Sequence, residues 1–261
     1  MPDNTGSEEE RDPHDVAVDE EEQPFLEHLI ELRSRILRSL TAILILFVPA
    51  YVYANELYAF IAAPLMAVLP EGSSMIATQV ATPFLTPFKL AIYVAIFLGV
   101  PVWLHQIWGF VSPGLYRHEK RFAMPLLVSS ILLFYCGMAF VYFLVFPLVF
   151  DFLIGVAPMN TTMMTDINHY LDFVLKMFFA FGLAFEIPIA TMLLAWSGFA
   201  TADTMADKRP YVIVGCFVLG MLLTPPDIMS QFLLAVPSWL LFEVGIFLAR
   251  FIEKREAQET A

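Results

Sequence analysis

The sequence predicts an all-α integral membrane protein with six transmembrane helices and both termini in the cytoplasm. Apolar residues make up 59% of the 261 residues and charged residues only 15%, which is too little polar surface for a soluble domain. Of the 14 Lys and Arg residues, 12 lie in the N-terminal segment, in the second and fourth breaks between six apolar stretches, or in the C-terminal segment. The first, third and fifth breaks contain none. Because cytoplasmic loops retain Lys and Arg, this alternation predicts the number of spans and their orientation together.

The N-terminal residues 1–24 are predicted to form an acidic cytoplasmic tail. They hold ten of the 26 Asp and Glu residues, so the tail accounts for most of the net charge of −12. A solvated, disordered tail and a docking segment both fit this composition, which offers few apolar residues to bury. No basic region precedes an apolar core, so a signal peptide is not expected.

The membrane domain is predicted to cover residues 25–251, followed by a cytoplasmic C-terminal tail, 252–261. The first basic residues lead into span one, and two remaining ones, Lys89 and Lys176, are expected to snorkel to the external headgroups. A helix needs about 20 residues to cross a 30 Å hydrocarbon core, so span three is long and span five is short. The six spans are about 36–53, 88–108, 122–150, 173–196, 211–223 and 228–249.

The segments that flank the first span carry helical patterns of their own. Residues 24–35 are expected to form a cytoplasmic helix that continues into span one, with Glu31 and Arg35 paired four residues apart. Arg33 is about 200° around that helix from Glu31 and so faces elsewhere. Residues 56–69 predict a short external helix in the membrane interface, bent at Pro64.

A tight external turn is predicted between spans five and six. Its sequence, TPPD at 224–227, contains two prolines that cannot continue a helix. Asp227 either caps the helix of span six or makes a functional contact, and the sequence leaves both open. The polar break around 160–166 is likewise either an ordered cap or a plain loop.

Glu186 is the ionisable residue at greatest predicted membrane depth. An ionisable group there costs about 2.5–3.5 kcal/mol on insertion scales, so its side chain should face protein or water. A functional polar site and a neutral carboxyl bonded to a neighbouring helix are the two alternatives. Pro188 frees the carbonyl of Ala184 and should weaken the helix beside Glu186. Gln231, at the external end of span six, is the second intramembrane polar residue.

Signatures of an enzyme are missing from the sequence. It contains no HExxH, no GxxxxGK[ST], no GxSxG and no dinucleotide-binding glycine motif. Cys136 and Cys216 are expected to be buried free thiols, because no second ligand stands at metal-site spacing. Neither an enzyme, a metal or cofactor site, nor a nucleic-acid-binding stripe is expected.

Five ordered motifs lie between residues 24 and 251. They are HLIELRSR at 28–35, SPGLYRHEKR at 112–121, FEIP at 185–188, KRPY at 208–211 and LTPPD at 223–227. Together they resemble the TatC family, the large signal-receptor subunit of the twin-arginine protein translocase. Chance agreement of five motifs on six correctly oriented spans is very improbable.

The resemblance implies a receptor in the bacterial inner membrane that binds twin-arginine signal peptides of folded cargo on its cytoplasmic face. It implies signal-peptide contacts from Glu31 and Glu119, with Arg33 and Phe110 nearby in the same motifs. Charge-assisted, bidentate bonds make carboxylates suitable partners for an arginine pair. The expected protein partners are single-span TatA- and TatB-type subunits and further copies of the chain, with transport driven by the proton motive force.

The resemblance also implies a fold in which six helices form a curved wall with short fifth and sixth spans. Glu186 would lie on its concave face. The alternative function is a proton-coupled secondary transporter in which Glu186 carries the proton. The lack of an internal repeat and of a relay of buried carboxylates argues against that alternative.

Overall fold

The computed structural model describes residues 13–70, 74–111, 120–156, 164–223 and 228–259. The regular structure of these residues is helical apart from one parallel bridge between Ile76 and Asp166. A π-helical turn at Val141–Val145 joins the helices Lys120–Phe140 and Phe146–Gly155. The predicted all-α class is therefore confirmed. The α-helices are α1 (Pro13–Val52), α2 (Ala54–Met66), α3 (Thr82–Leu98), α4 (Val100–Val111), α5 (Lys120–Phe140), α6 (Phe146–Gly155), α7 (Ile167–Ala184), α8 (Ile187–Trp196), α9 (Ala202–Asp207), α10 (Arg209–Leu223) and α11 (Ile228–Glu259).

Several of these helices have the length and apolar character of membrane spans. Four described stretches, 29–52, 124–155, 167–196 and 230–251, are long and apolar enough to cross a bilayer. The pair α3 and α4 makes a fifth if it counts as one bent span, and α10 is apolar but only 15 residues long. The apolar stretches coincide with the predicted spans, while six crossings and the orientation stay predictions.

The two ends of the chain depart from their predicted boundaries. Helix α1 begins at Pro13, inside the segment predicted as a disordered tail. Helix α11 runs for 32 residues, so the expectation of a short sixth helix is wrong, although α10 is short. The extension of α11 past its apolar stretch has a polar cause. Its Glu253 carboxylate accepts a hydrogen bond from the Ala202 amide at the start of α9, and its Arg250 pairs with Asp203.

The bend of 51° between α3 and α4 follows from a proline. Pro101 has no N–H to donate to the carbonyl of Phe97, so the helical ladder is interrupted there. The hydroxyl of Tyr135 donates to that carbonyl at 3.0 Å, and the indole of Trp103 donates to the carbonyl of Ile96 at 3.2 Å. Side chains thus satisfy the backbone groups that the bend exposes inside the membrane.

Side-chain hydroxyl groups also bond to backbone carbonyls of the short helix α2. Pro64 lies inside it, as predicted, and frees the carbonyl of Phe60. The hydroxyl of Tyr142 donates to this carbonyl at 2.9 Å, and the buried hydroxyl of Tyr170 donates to the next one, that of Ile61, at 2.7 Å. Tyr142 lies in the π-helical turn. The middle of the chain therefore anchors α2.

A third proline interrupts the span formed by α7 and α8. Helix α7 ends at Ala184, and α8 begins at Ile187 with Pro188 in its first turn. The weakening predicted beside Glu186 is confirmed, because Phe185 and Glu186 form a turn between the two helices. Helix α8 packs along α11, so closely that a Cβ on Gly245 would overlap the side chain of Thr191.

Aromatic side chains fill the core between α3, α5 and α7. Phe97 and Phe178 pack edge to face at 6.1 Å, and Trp103 meets Phe134 in the same way at 5.8 Å. Such pairs add to the stabilisation that burial of their area provides.

Helix α1, by contrast, is largely exposed, with only 6% of its apolar stretch buried. Exposed apolar faces of this kind suit a hydrocarbon solvent.

One expectation about the cysteines is corrected. Cys216 is buried as predicted, but Cys136 is exposed, because it lies on the face of α5 that turns away from the core.

Lys89, which is predicted to snorkel, also has partners within the protein. Its ammonium pairs with the carboxylate of Asp172 and bonds to Asn168, so it links α3 to α7.

Asp166 caps α7 and ties it to the segment that precedes α3. Its carboxylate accepts bonds from the amides of Asn168 and His169 at 2.9 and 3.1 Å, and from the amide and hydroxyl of Thr78 at 2.9 and 2.6 Å. These bonds, foremost the one from the Thr78 hydroxyl, hold the pKa of Asp166 well below its usual range.

This lowered pKa predicts a pH dependence of stability. A depressed pKa stabilises the fold above the unfolded-state pKa of about 3.9, and the stabilisation fades as pH falls towards the folded-state pKa. Asp166→Ala should therefore lower the unfolding temperature at pH 7 and flatten its fall between pH 5 and pH 3. Thermal unfolding in detergent measures both effects, with Asp151→Ala in the exposed part of α6 as the control. Equal pH profiles for both variants would refute the assignment.

Candidate functional site

The candidate site at the start of the membrane domain is built on one turn of α1. The carboxylate of Glu31 is 40% exposed, and its Oε1 accepts bonds from Nε and Nη2 of Arg35 at 3.0 and 2.5 Å. The pairing predicted from the i,i+4 spacing is therefore confirmed. No described residue donates to Oε2 of Glu31. One oxygen of this carboxylate thus remains available as an acceptor.

Arg35 also connects α1 to α4. Its Nη2 donates to the carbonyl of Gly109 at 2.9 Å, and its Nη1 lies 3.4 Å from the carbonyl of Gln106. Gly109 is among the last four residues of α4, whose carbonyls lack intrahelical donors and carry partial negative charge, which suits a guanidinium. The hydrogen bonds of Arg35 thus fix Glu31 beside the end of α4.

Phe110 and Arg33 occupy different sides of this cluster. Phe110 lines an open groove of about 360 Å³ between α1 and α4, which Arg35, Ile36 and Trp103 also line. Arg33 is exposed and lines a separate groove with Arg38 along α1. Glu119, the second predicted carboxylate, lies outside the described residues. The structure therefore links Glu31 through Arg35 to the end of α4, where Phe110 lies, with Arg33 on an adjoining face.

Glu186 lies in the turn between α7 and α8 and faces α5. The buried hydroxyl of Ser130 donates to its Oε2. Its Oε1 is buried, and no described group bonds to it. The carboxyl is thus bonded to a neighbouring helix, as one of the two alternatives supposed, yet it keeps one acceptor for a further donor. Both alternatives stay open.

Gln231 and Asp227 fall elsewhere. The amide of Gln231 donates to the carbonyl of Phe217 at 2.9 Å, which ties α11 to α10. Its contacts are therefore with the short span, not with Ser130 and Glu186. Asp227, which is predicted to lie in the external turn at 224–227, is outside the described residues.

Sequence reasoning missed an ion pair close to the other end of α10. Arg209 and Glu243 form two parallel bonds, Nε to Oε1 at 2.6 Å and Nη2 to Oε2 at 2.8 Å. This bidentate geometry joins the start of α10 to α11. The only signal in the sequence was a carboxylate inside an apolar run with no partner on its own helix.

Comparison with known proteins decides the family. The model of the family "Sec-independent protein translocase protein (TatC)" matches residues 27–237. The chain belongs to the TatC family. A TatC from Azotobacter chroococcum is 59% identical over 91% of this chain and 93% of its own length, and the Escherichia coli K12 TatC is 53% identical over 89% and 90%.

The fold agrees with that of a solved TatC. The crystal structure of a twin-arginine translocase receptor TatC superposes with a TM-score of 0.78 at 39% identity, covering 86% of this chain and 98% of the other. The resemblance inferred from the five motifs is thereby confirmed. As a TatC-family protein with several apolar helices, the chain is a multi-pass membrane protein.

Proposed function

We propose that this chain is the receptor subunit of a twin-arginine translocase, and that it binds the paired arginines of signal peptides with the carboxylate of Glu31. Family membership supports the receptor role, and the similar solved structure is described as a twin-arginine translocase receptor. The observation that carries the proposal is the half-exposed Glu31 carboxylate, which is fixed at the edge of α1 and α4 and has one unoccupied oxygen.

Paired arginines need two carboxylates, because each guanidinium forms its strongest bonds with one. Glu31 supplies the first and Glu119, in the segment that follows α4 in sequence, supplies the second. Phe110 borders the groove beside Glu31, and Arg33 shapes the adjoining charged face. In the proposed topology of six spans, Glu31 and Glu119 face the cytoplasm. Both termini lie on the cytoplasmic side of the bacterial inner membrane.

The intramembrane polar residues serve the later stages of transport. Glu186 lines a concave face and meets the later segment of the signal peptide or a polar group of a partner helix. Gln231 ties α11 to the short α10, and Asp227 belongs to the proposed external turn between these two helices. The partners are single-span TatA- and TatB-type subunits and other copies of this chain, and transport uses the proton motive force. Family membership does not favour the proton-coupled transporter.

Direct binding tests this function. A fluorescent peptide with an arginine pair followed by an apolar segment should bind the purified protein in detergent, and exchange of the pair for two lysines should weaken binding. The fluorescence anisotropy of the two peptides measures the difference. Equal affinity for both peptides, or none for either, would refute the proposal.

Accessibility of single cysteines tests the topology. In a background with Cys136 and Cys216 replaced by Ser, cysteines at Glu71 or Asn160 should react with an impermeant maleimide in intact cells. Cysteines at His118 or Asp203 should react only after lysis, because basic residues mark their loops as cytoplasmic. Labelling of position 118 in intact cells would contradict six spans.

A further inference from the structure

Arg35 stands in an unusual position, since a cation touches the very carboxylate that is proposed to bind cations. Nε and Nη2 of its guanidinium both donate to Oε1 of Glu31, and Nη2 also donates to the carbonyl of Gly109 at 2.9 Å. With 20% of its side chain exposed, it is more buried than Glu31. An arriving peptide therefore meets Arg35 as part of the protein and not as a mobile counter-ion.

We propose that Arg35 is a positioning residue that holds Glu31 in the one orientation that distinguishes arginine from lysine in the signal peptide. The proposal rests on the function proposed above and names the source of its specificity. A planar guanidinium holds its N–H groups in fixed directions and therefore needs the free Oε2 of Glu31 in a fixed place, whereas an ammonium is a point charge without such a requirement. A fixed carboxylate thus favours arginine, and a rotating one accepts either cation.

Glycine at position 109 is the second observation behind this role. A Cβ at this position would overlap Nη1 of Arg35. The absence of a side chain lets the guanidinium approach the backbone of α4 closely. Gly109→Ala should therefore displace the guanidinium while it leaves both charges of the pair in the protein.

The anchor of Arg35 lies on a different helix from Glu31. A pair at i,i+4 on one helix surface contributes little and leaves both side chains mobile. The bonds to Gly109 and Gln106 add a fixed point 74 and 71 residues away in sequence. Because α4 holds Arg35, the plane of the Glu31 carboxylate is set by the packing of α1 on α4.

The test compares the affinities of the purified protein for an arginine-pair peptide and for the matched lysine-pair peptide. Arg35→Lys keeps the charge but loses the planar fork, and Gly109→Ala keeps the arginine but displaces it. Both variants should lose about tenfold in the ratio of the two affinities, mainly through weaker binding of the arginine peptide. A role of Arg35 in folding alone would lower both affinities together and leave the ratio unchanged.

Two controls separate positioning from charge and from helix packing. Arg38→Ala removes one positive charge from the exposed face of α1 and should change both affinities by the same factor. Gly215→Ala adds a Cβ in α10 that meets no atom and should change neither.

The outcomes distinguish the two proposals. If the wild type does not prefer the arginine pair, the proposed function fails. If the wild type prefers it and both Arg35→Lys and Gly109→Ala retain that preference within a factor of two, the positioning role of Arg35 is overturned.

Discussion

Glu31→Ala is expected to weaken binding of a twin-arginine peptide by about 1.5–3 kcal/mol, the range for a hydrogen bond to a charged group, or roughly 10- to 150-fold. The carboxylate is the acceptor for a guanidinium, and alanine offers none. Titration of the purified protein with a labelled peptide measures the loss.

Two further variants make this result specific. Glu31→Gln keeps an oxygen for Arg35 but presents an amide N–H₂ group where the free Oε2 was, so it should lose nearly as much as Glu31→Ala. Glu27→Ala removes the same charge one turn earlier in α1 and should change binding little. Unchanged binding in Glu31→Ala, or an equal loss in Glu27→Ala, would contradict the assignment of Glu31.

Glu186→Ala is expected to abolish most transport, whereas Glu186→Gln should retain much of it. Alanine leaves the buried Ser130 hydroxyl without its acceptor and removes the free Oε1. Loss of such a buried partner costs about 1–3 kcal/mol, which is on the order of tenfold or more in an equilibrium. Glutamine still accepts from Ser130 and can still bond to a partner. Export of a folded reporter with a twin-arginine signal measures both variants.

The pair also separates a polar site from a proton carrier. A proton carrier must titrate, and neither glutamine nor alanine can do so. Equal and complete loss in both variants, with peptide binding and subunit assembly intact, would therefore refute the polar site and favour proton transfer by Glu186. Ser130→Ala serves as a control, because it removes the neighbouring donor and leaves the carboxyl.

The sequence was sufficient wherever the cause of a feature is local. Pro64 and Pro188 each identify a carbonyl that loses its donor, so the free carbonyl in α2 and the break at Glu186 could be predicted, while a bend of α2 stays a prediction. The i,i+4 spacing likewise predicted that Glu31 meets Arg35. Apolar length also placed the long apolar helices to within several residues.

Features that depend on packing between distant segments could not be predicted. No pattern in the sequence indicates that Tyr142 would supply the hydroxyl for Phe60, 82 residues away. The bond from Arg35 to Gly109 and the pairing of Lys89 with Asp172 have the same character. Each required knowledge of which helices are neighbours, and the alternation of residues along one helix does not contain it.

The length of α11 was missed for a different reason. The apolar stretch of α11 ends at residue 251, and the charged residues after it were predicted to form a tail. The helix continues because Glu253 and Arg250 find partners at the start of α9. Polar contacts at the interface thus extended an element that composition alone would end.

Site-specific photocrosslinking in inverted membrane vesicles tests most directly whether arginine pairs bind beside Glu31. A photoreactive residue at Phe110 or Ile30, which line the grooves next to Arg35 and Glu31, should crosslink to a bound twin-arginine signal peptide. One at the exposed Phe60 of α2 should not. Excess unlabelled arginine-pair peptide should abolish the crosslinks, and a lysine-pair peptide should leave them. Equal crosslinking from position 60, or equal competition by the lysine-pair peptide, would contradict binding of arginine pairs at this site.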